Sequence, residues 1–157
     1  MGAIVRRGVR LVRSGRFARG CCRLTLADWR RLVVVAVAQV VAAAAVRVIA
    51  LPALRAGSRR FARLAQFLVR GSDERIVWAI EVTGRRLGRL STCLIRALVA
   101  ELVLDPKGEP LSLTIGVRRM TAGPLEAHAW LAGKDRILIG ATADEYTPLV
   151  NWTSPSA

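Results

Sequence analysis

The sequence predicts an α+β domain, with helices through its first hundred residues and a small antiparallel sheet after them. Two observations carry that expectation. Apolar residues recur at helical spacing as far as Leu102, and from Leu111 onward they alternate strictly with small or polar ones. Turn-forming segments also change character, so that PKGEP at 106–110, Thr121 to Pro124 and Gly133 to Asp135 punctuate the second part at strand-length intervals. Charge divides the chain at a third level. Residues 1–70 carry 15 arginines and a single acid, Asp28, which accounts for the whole formal charge of +14; residues 71–157 balance 10 basic against 10 acidic side chains.

Residues 1–24 form a basic extension in which Ile4, Val5, Val9 and Val12 fall at helical spacing between arginines. A frayed extension, a membrane-surface contact and a targeting segment all fit this composition. A single-stranded nucleic-acid groove would interleave aromatics, and only Phe17 and Trp29 are near, so nucleic acid is not an expected partner. Residues 25–70 read as a helical lead-in, packed on the core or lying at a membrane surface. Thr25 and Asp28 make a capping-box start for a helix from about residue 26. The run from Leu32 to Val46 is apolar apart from Gln39, and is shorter than the roughly 20 residues a bilayer span needs, although continuing through Arg47 to Leu51 would bring it close and keeps a true span as an alternative. Arg47 interrupts this helix and Pro52 is expected to break it. The basic segment from Arg55 to Arg70 follows, with Phe61, Leu64, Phe67 and Leu68 on one stripe of an amphipathic helix.

Residues 71–152 hold the expected core. Gly71 and Ser72 end one helix and open the next, Asp73 to about Leu87, with Ile76, Val77, Ile80 and Thr83 on one face. Ser91 and Thr92 form a capping pair for a helix that starts at Cys93 and carries Leu94, Leu98 and Leu102 at successive i+4 positions. In the strand LSLTIGV, Leu111, Leu113, Ile115 and Val117 share a face. In LEAHAWL, Leu125, Ala127, Ala129 and Leu131 share one face and Glu126, His128 and Trp130 the other. RILIG returns as the second arm of a hairpin.

Cys21 and Cys22 are adjacent and Cys93 stands apart, which suggests reduced thiols and a cytoplasmic setting rather than an oxidised scaffold. One histidine and no CxxC pair do not supply a usual zinc site, so no metal or other cofactor is expected. The chemistry points instead to Cys93 and His128. A cysteine in the first turn of a helix meets unpaired backbone N–H groups and the positive end of the helix dipole, which favour a thiolate. The same N–H groups point where an oxyanion forms after attack on a carbonyl. His128, on the polar face of its strand, suits a general base. Each residue alone has an ordinary structural reading, as a packed cysteine and a hydrogen-bonded strand histidine.

Together, a capped helix bearing cysteine, an alternating strand, a strand bearing histidine and a return strand resemble the transglutaminase-like branch of papain-type thiol hydrolases. More specifically, TCLIRALVAELVL, LTIGV and EAHAWL resemble the B proteins of lasso-peptide biosynthesis, cysteine proteases that remove the leader from a precursor peptide. The likeness runs from about Leu26 to Leu149 and is concentrated in Cys93–Leu98 and Ala127–Trp130. It implies a papain/transglutaminase-like core with Cys93 and His128 as catalytic residues. It also implies the precursor peptide as substrate. Because the first half lacks room for a winged-helix-like recognition domain, the resemblance implies a stand-alone peptidase that works with a separate leader-recognition protein. A lasso cyclase that closes the macrolactam with ATP is the further partner implied.

Members of that family often carry an aspartate twelve residues after the histidine, where it orients the imidazole; Gly140 stands there in this chain. Asp135, about 13 Å along the strand, is too far to replace it. Glu126, Asp144, a backbone carbonyl and a water are the candidates that remain. Arg96, one turn into the cysteine helix, reads as the partner of a carboxylate in preference to an anion-binding residue, Trp130 as core or as a cleft wall, and Arg118 and Arg119 as a solvated strand end. Two other functions stay open: acyl transfer to an amine by the same pair, as in a transglutaminase or amidase, and a non-enzymatic membrane-associated scaffold.

Overall fold

The computed structural model describes residues 24–104, 110–119 and 124–153; the basic extension through residue 23, with Cys21 and Cys22, lies outside them. In chain order the described elements are α1 (Leu26–Ala45), α2 (Leu51–Leu68), α3 (Asp73–Leu87) and α4 (Cys93–Val103), then β1 (Ser112–Arg119), β2 (Leu125–Ala132), β3 (Ile137–Ile139) and β4 (Thr147–Thr153). Helices and sheet form two layers, and α4 is the helix that lies on the sheet, chiefly against β2.

The first helix begins as its sequence demands. Thr25 Oγ1 accepts from the Asp28 N–H, and the Asp28 carboxylate accepts from the Thr25 N–H, closing the box. Such a cap contributes about 1 kcal/mol. Asp28 also pairs with Arg31 at 2.8 Å and Arg75 at 3.3 Å, tying α1 to α3. The helix ends at Ala45, just before Arg47. Pro52, expected as a breaker, instead sits in the first turn of α2, where its missing N–H costs nothing, so α2 starts four residues before Arg55.

The orientation of α2 reverses the simplest reading of its stripe. Phe61, Leu64 and Phe67 face outward, while Arg55 and Val69 are buried. Arg55 enters the interior because Glu101 of α4 takes its guanidinium in a two-point ion pair and the Trp152 ring lies 5.2 Å beneath it. A charge so matched is tolerated inside; removing one partner of such a pair typically costs about 3–5 kcal/mol.

Buried residues from both layers form one core: Val35 of α1, Ile76, Ala79 and Ile80 of α3, Ala97 to Ala100 and Val103 of α4, and Leu113, Ala129, Leu131 and Ile139 of the sheet. Inside it, Gln39 of α1 finds a full set of partners. Its Nε2 donates to Thr83 Oγ1 at 2.6 Å and to the Ile80 carbonyl, and its Oε1 accepts from Ser91 Oγ. Ser91 therefore does not cap α4. Thr92 does so alone, accepting from the Ile95 N–H.

The sheet is antiparallel with spatial order β3-β2-β1-β4. β4 has no counterpart in the alternation pattern. It is an edge strand, almost wholly exposed, and Pro148 is accommodated there because an edge strand has fewer ladder bonds to make. β1 pairs with it through a register shift between Ile115 and Gly116. β1 is also covered on both faces rather than one, since Thr114 and Gly116 are buried as well as Leu113. Among the described residues, no helix is long and apolar enough to cross a membrane.

Candidate active site

Cys93 is the first residue of α4, half-buried with its thiol free. The Thr92 cap takes up the Ile95 N–H, and the N–H groups of Cys93 and Leu94, which precede the first intrahelical acceptor, remain at the helix mouth. The segment before the helix is anchored in the core through Ser91 and Gln39. Arg96, one turn further on, pairs with Glu81 of α3 at 3.1 Å, crossing α3 at Gly84, where an added Cβ would lie 2.8 Å from the arginine side chain. It acts as a clasp between α3 and α4.

His128 lies in the middle of β2, opposite Gly116 of β1. Strand alternation turns Ala129 and Leu131 into the core beneath α4 and sets His128 with Trp130 on the other, half-buried face. The imidazole stacks 6.2 Å from Trp130 and 5.1 Å from Tyr146, centroid to centroid. The Trp130 ring lies over Gly116, where a Cβ would approach it to 2.9 Å, so glycine at 116 makes room for the wall beside the histidine. Tyr146 was not singled out from sequence; its signal is only an aromatic residue just before the last strand.

The two candidate residues sit on elements that pack together, α4 and β2, but His128 is on the face of β2 away from α4, so the structure does not bring its ring to the Cys93 thiol. Among the described residues, no hydrogen bond joins the Cys93 thiol to the His128 ring.

What orients the imidazole is a backbone group. His128 Nε2 lies 2.8 Å from the carbonyl oxygen of Gly140. A carbonyl only accepts, so Nε2 carries a proton, and in the neutral ring Nδ1 keeps its lone pair. Of the carboxylates proposed from sequence, neither reaches the histidine. Glu126 and Asp144 both bind Arg118, at 2.8 and 2.6 Å. Arg118 is accordingly not a solvated strand end; its guanidinium also lies 5.3 Å over the Tyr146 ring. Burial holds the Tyr146 phenol above its ordinary pKa, against the opposing pull of Arg118.

Gly140 holds its place for steric reasons. Its φ is +79°, in the left-handed region, and an added Cβ would stand 2.6 Å from the Ala129 carbonyl oxygen. No aspartate fits there without moving the backbone. Among the described residues, no group of three or more His, Cys, Asp or Glu side chains is arranged to hold a metal ion.

No curated protein and no solved structure matches the chain. The sequence pattern of the Transglutaminase-like superfamily does, over residues 29–151. That span includes all four helices from Trp29 onward, Cys93, His128 and three of the four strands entire, and by it the chain belongs to the transglutaminase-like superfamily.

Proposed function

We propose that the chain is a cysteine peptidase that removes the leader from a lasso-peptide precursor, with Cys93 as nucleophile and His128 as general base. The observation that carries the chemistry is the bond from His128 Nε2 to the Gly140 carbonyl, which fixes the tautomer with Nδ1 free to take a proton. Cys93, at the mouth of α4, has the complementary placement: a thiolate there is favoured by the helix dipole, and the adjoining N–H groups suit an oxyanion.

The reaction in this reading is acyl transfer to sulfur and then to water. His128 Nδ1 takes the Cys93 thiol proton and the sulfur attacks the scissile carbonyl carbon; the C–N bond breaks as the imidazolium gives that proton to the leaving amine. Nδ1 then takes a proton from the water that cleaves the thioester and releases the leader, the thiol regaining its proton. In this reading the Cys93 sulfur and His128 Nδ1 must come within about 3–3.5 Å of each other when a peptide is seated. Leader removal as the specific task is supported by the boxes at Cys93–Leu98 and Ala127–Trp130. A separate leader-recognition protein and an ATP-dependent cyclase are the partners that task requires.

The test is cleavage of the precursor by purified protein with the recognition partner present. Cys93→Ala abolishes cleavage while leaving thermal unfolding within a few degrees of the parent. Normal cleavage by that variant ends the proposal.

A further inference from the structure

We infer that the outer faces of α1 and α2 form a docking surface for an anionic lipid bilayer, on which the protein lies without crossing it. On α2, Phe61, Leu64 and Phe67 are 64%, 58% and 56% exposed, and their spacing of three keeps them within about a third of the helix circumference. Exposed aromatic residues grouped in this way on one helix face are unusual for a side meant to stay in water.

On α1 the exposed residues Trp29, Val33, Val37 and Val41 continue at i+4 spacing along the helix. Arg31 of α1 donates to the carbonyl of Arg70, just past the end of α2, at 2.8 Å, which sets the start of α1 beside the end of α2. Trp29 and Phe67 therefore lie toward the same end of the helix pair.

Charge names the occupant. Residues 24–70 contain eight arginines and one acid, Asp28, which is already committed to Arg31 and Arg75. Arg59, Arg60 and Arg63 border the phenylalanine arc, are exposed, and among the described residues have no carboxylate partner. Long guanidinium stems beside buried aromatics are the composition of an interfacial helix, its rings at headgroup depth and its cations on lipid phosphates.

The outer face of α1 argues for a fluid partner over a protein. Between Arg31 and Arg47 it offers no polar side chain, Gln39 being turned into the core, whereas a protein interface carries about one hydrogen bond per 100–200 Å². No described helix is long and apolar enough to span the bilayer, so contact is along the surface.

The experiment is co-sedimentation of the full-length protein with vesicles of equal phosphatidylglycerol and phosphatidylcholine, and with pure phosphatidylcholine vesicles, at low salt. Partition onto the anionic vesicles should exceed that onto the neutral ones by about tenfold or more. The exposed double variant Phe61→Ser/Phe67→Ser should unfold at the parent's temperature and partition about tenfold less. Replacing Arg59, Arg60 and Arg63 with Gln should reduce the preference for anionic vesicles by a similar factor. Equal binding to both vesicle types, or undiminished binding by the phenylalanine variant, overturns the inference. So does protein that stays in the supernatant yet is retained on immobilised polyglutamate, an outcome that assigns the face to an acidic protein.

Discussion

The helical layer and the sheet secure their polar groups by different means. In the helical layer, residues 26–103, buried polar side chains are tied across elements by other side chains: Gln39 of α1 by Thr83 of α3 and by Ser91 ahead of α4, Arg55 of α2 by Glu101 of α4, and Asp28 of α1 by Arg75 of α3. In the sheet, residues 112–153, the charged groups gather at Arg118 on a half-exposed face, and the histidine at the centre is held by a main-chain carbonyl. The Cys93 end of the site is thus fixed by a network that substitution can dismantle piece by piece. The His128 end rests on the path of the backbone after β3.

Breaking that backbone path should have the largest effect on stability. Gly140→Asp supplies a carboxylate twelve residues after His128, yet it places a Cβ in the left-handed region and against the Ala129 carbonyl. It should cost about 2 kcal/mol or more, read as a lowered midpoint in urea unfolding, and lower cleavage rather than raise it. A variant as stable as the parent and more active would show that the aspartate position is open after all.

A smaller loss is expected from the helical network. Gln39→Leu leaves Ser91 without its partner and should cost about 1–3 kcal/mol. Because Ser91 lies two residues before Cys93, cleavage should fall by more than the loss of folded protein explains, measured at a temperature where the variant is fully folded. Unchanged activity per folded molecule would separate the network from the site.

The smallest effect is pH-dependent. The Thr25 hydrogen bonds, with Arg75 and Arg31 beside them, hold the Asp28 carboxyl below its ordinary value of 3.8. A depressed folded-state pKa contributes stability that is complete above the unfolded value and is lost as pH falls through the folded one. Asp28→Asn should therefore be less stable than the parent near neutrality by about 1 kcal/mol, and the gap in urea midpoints should close as pH drops below 3.8. A gap that persists into strong acid would assign the loss to packing.

These differences in construction explain what could be read from the letters alone. The α+β class, the Thr25–Asp28 cap and the start of α4 at Cys93 follow from local pattern, and the structure has all three. His128 was placed on the polar face of its strand by simple alternation. The partner of that histidine was not legible, because a carbonyl belongs to every residue and Gly140 signals only a missing carboxylate. β4 escaped because its residues are exposed and do not alternate, and Pro148 argues against a strand except at an edge. The stripe of Phe61, Leu64 and Phe67 was visible, but periodicity does not say which face packs. Arg55 decided that by finding Glu101 and Trp152, partners that lie far along the chain.

The claim on which the functional account rests is that His128 serves Cys93. Its most direct measurement is the rate of Cys93 alkylation by iodoacetamide at neutral pH, compared between the parent and His128→Asn with Cys21 and Cys22 replaced by Ser in both. The account predicts that the histidine variant reacts about tenfold more slowly or less, at unchanged stability. Equal rates in the two proteins would contradict it.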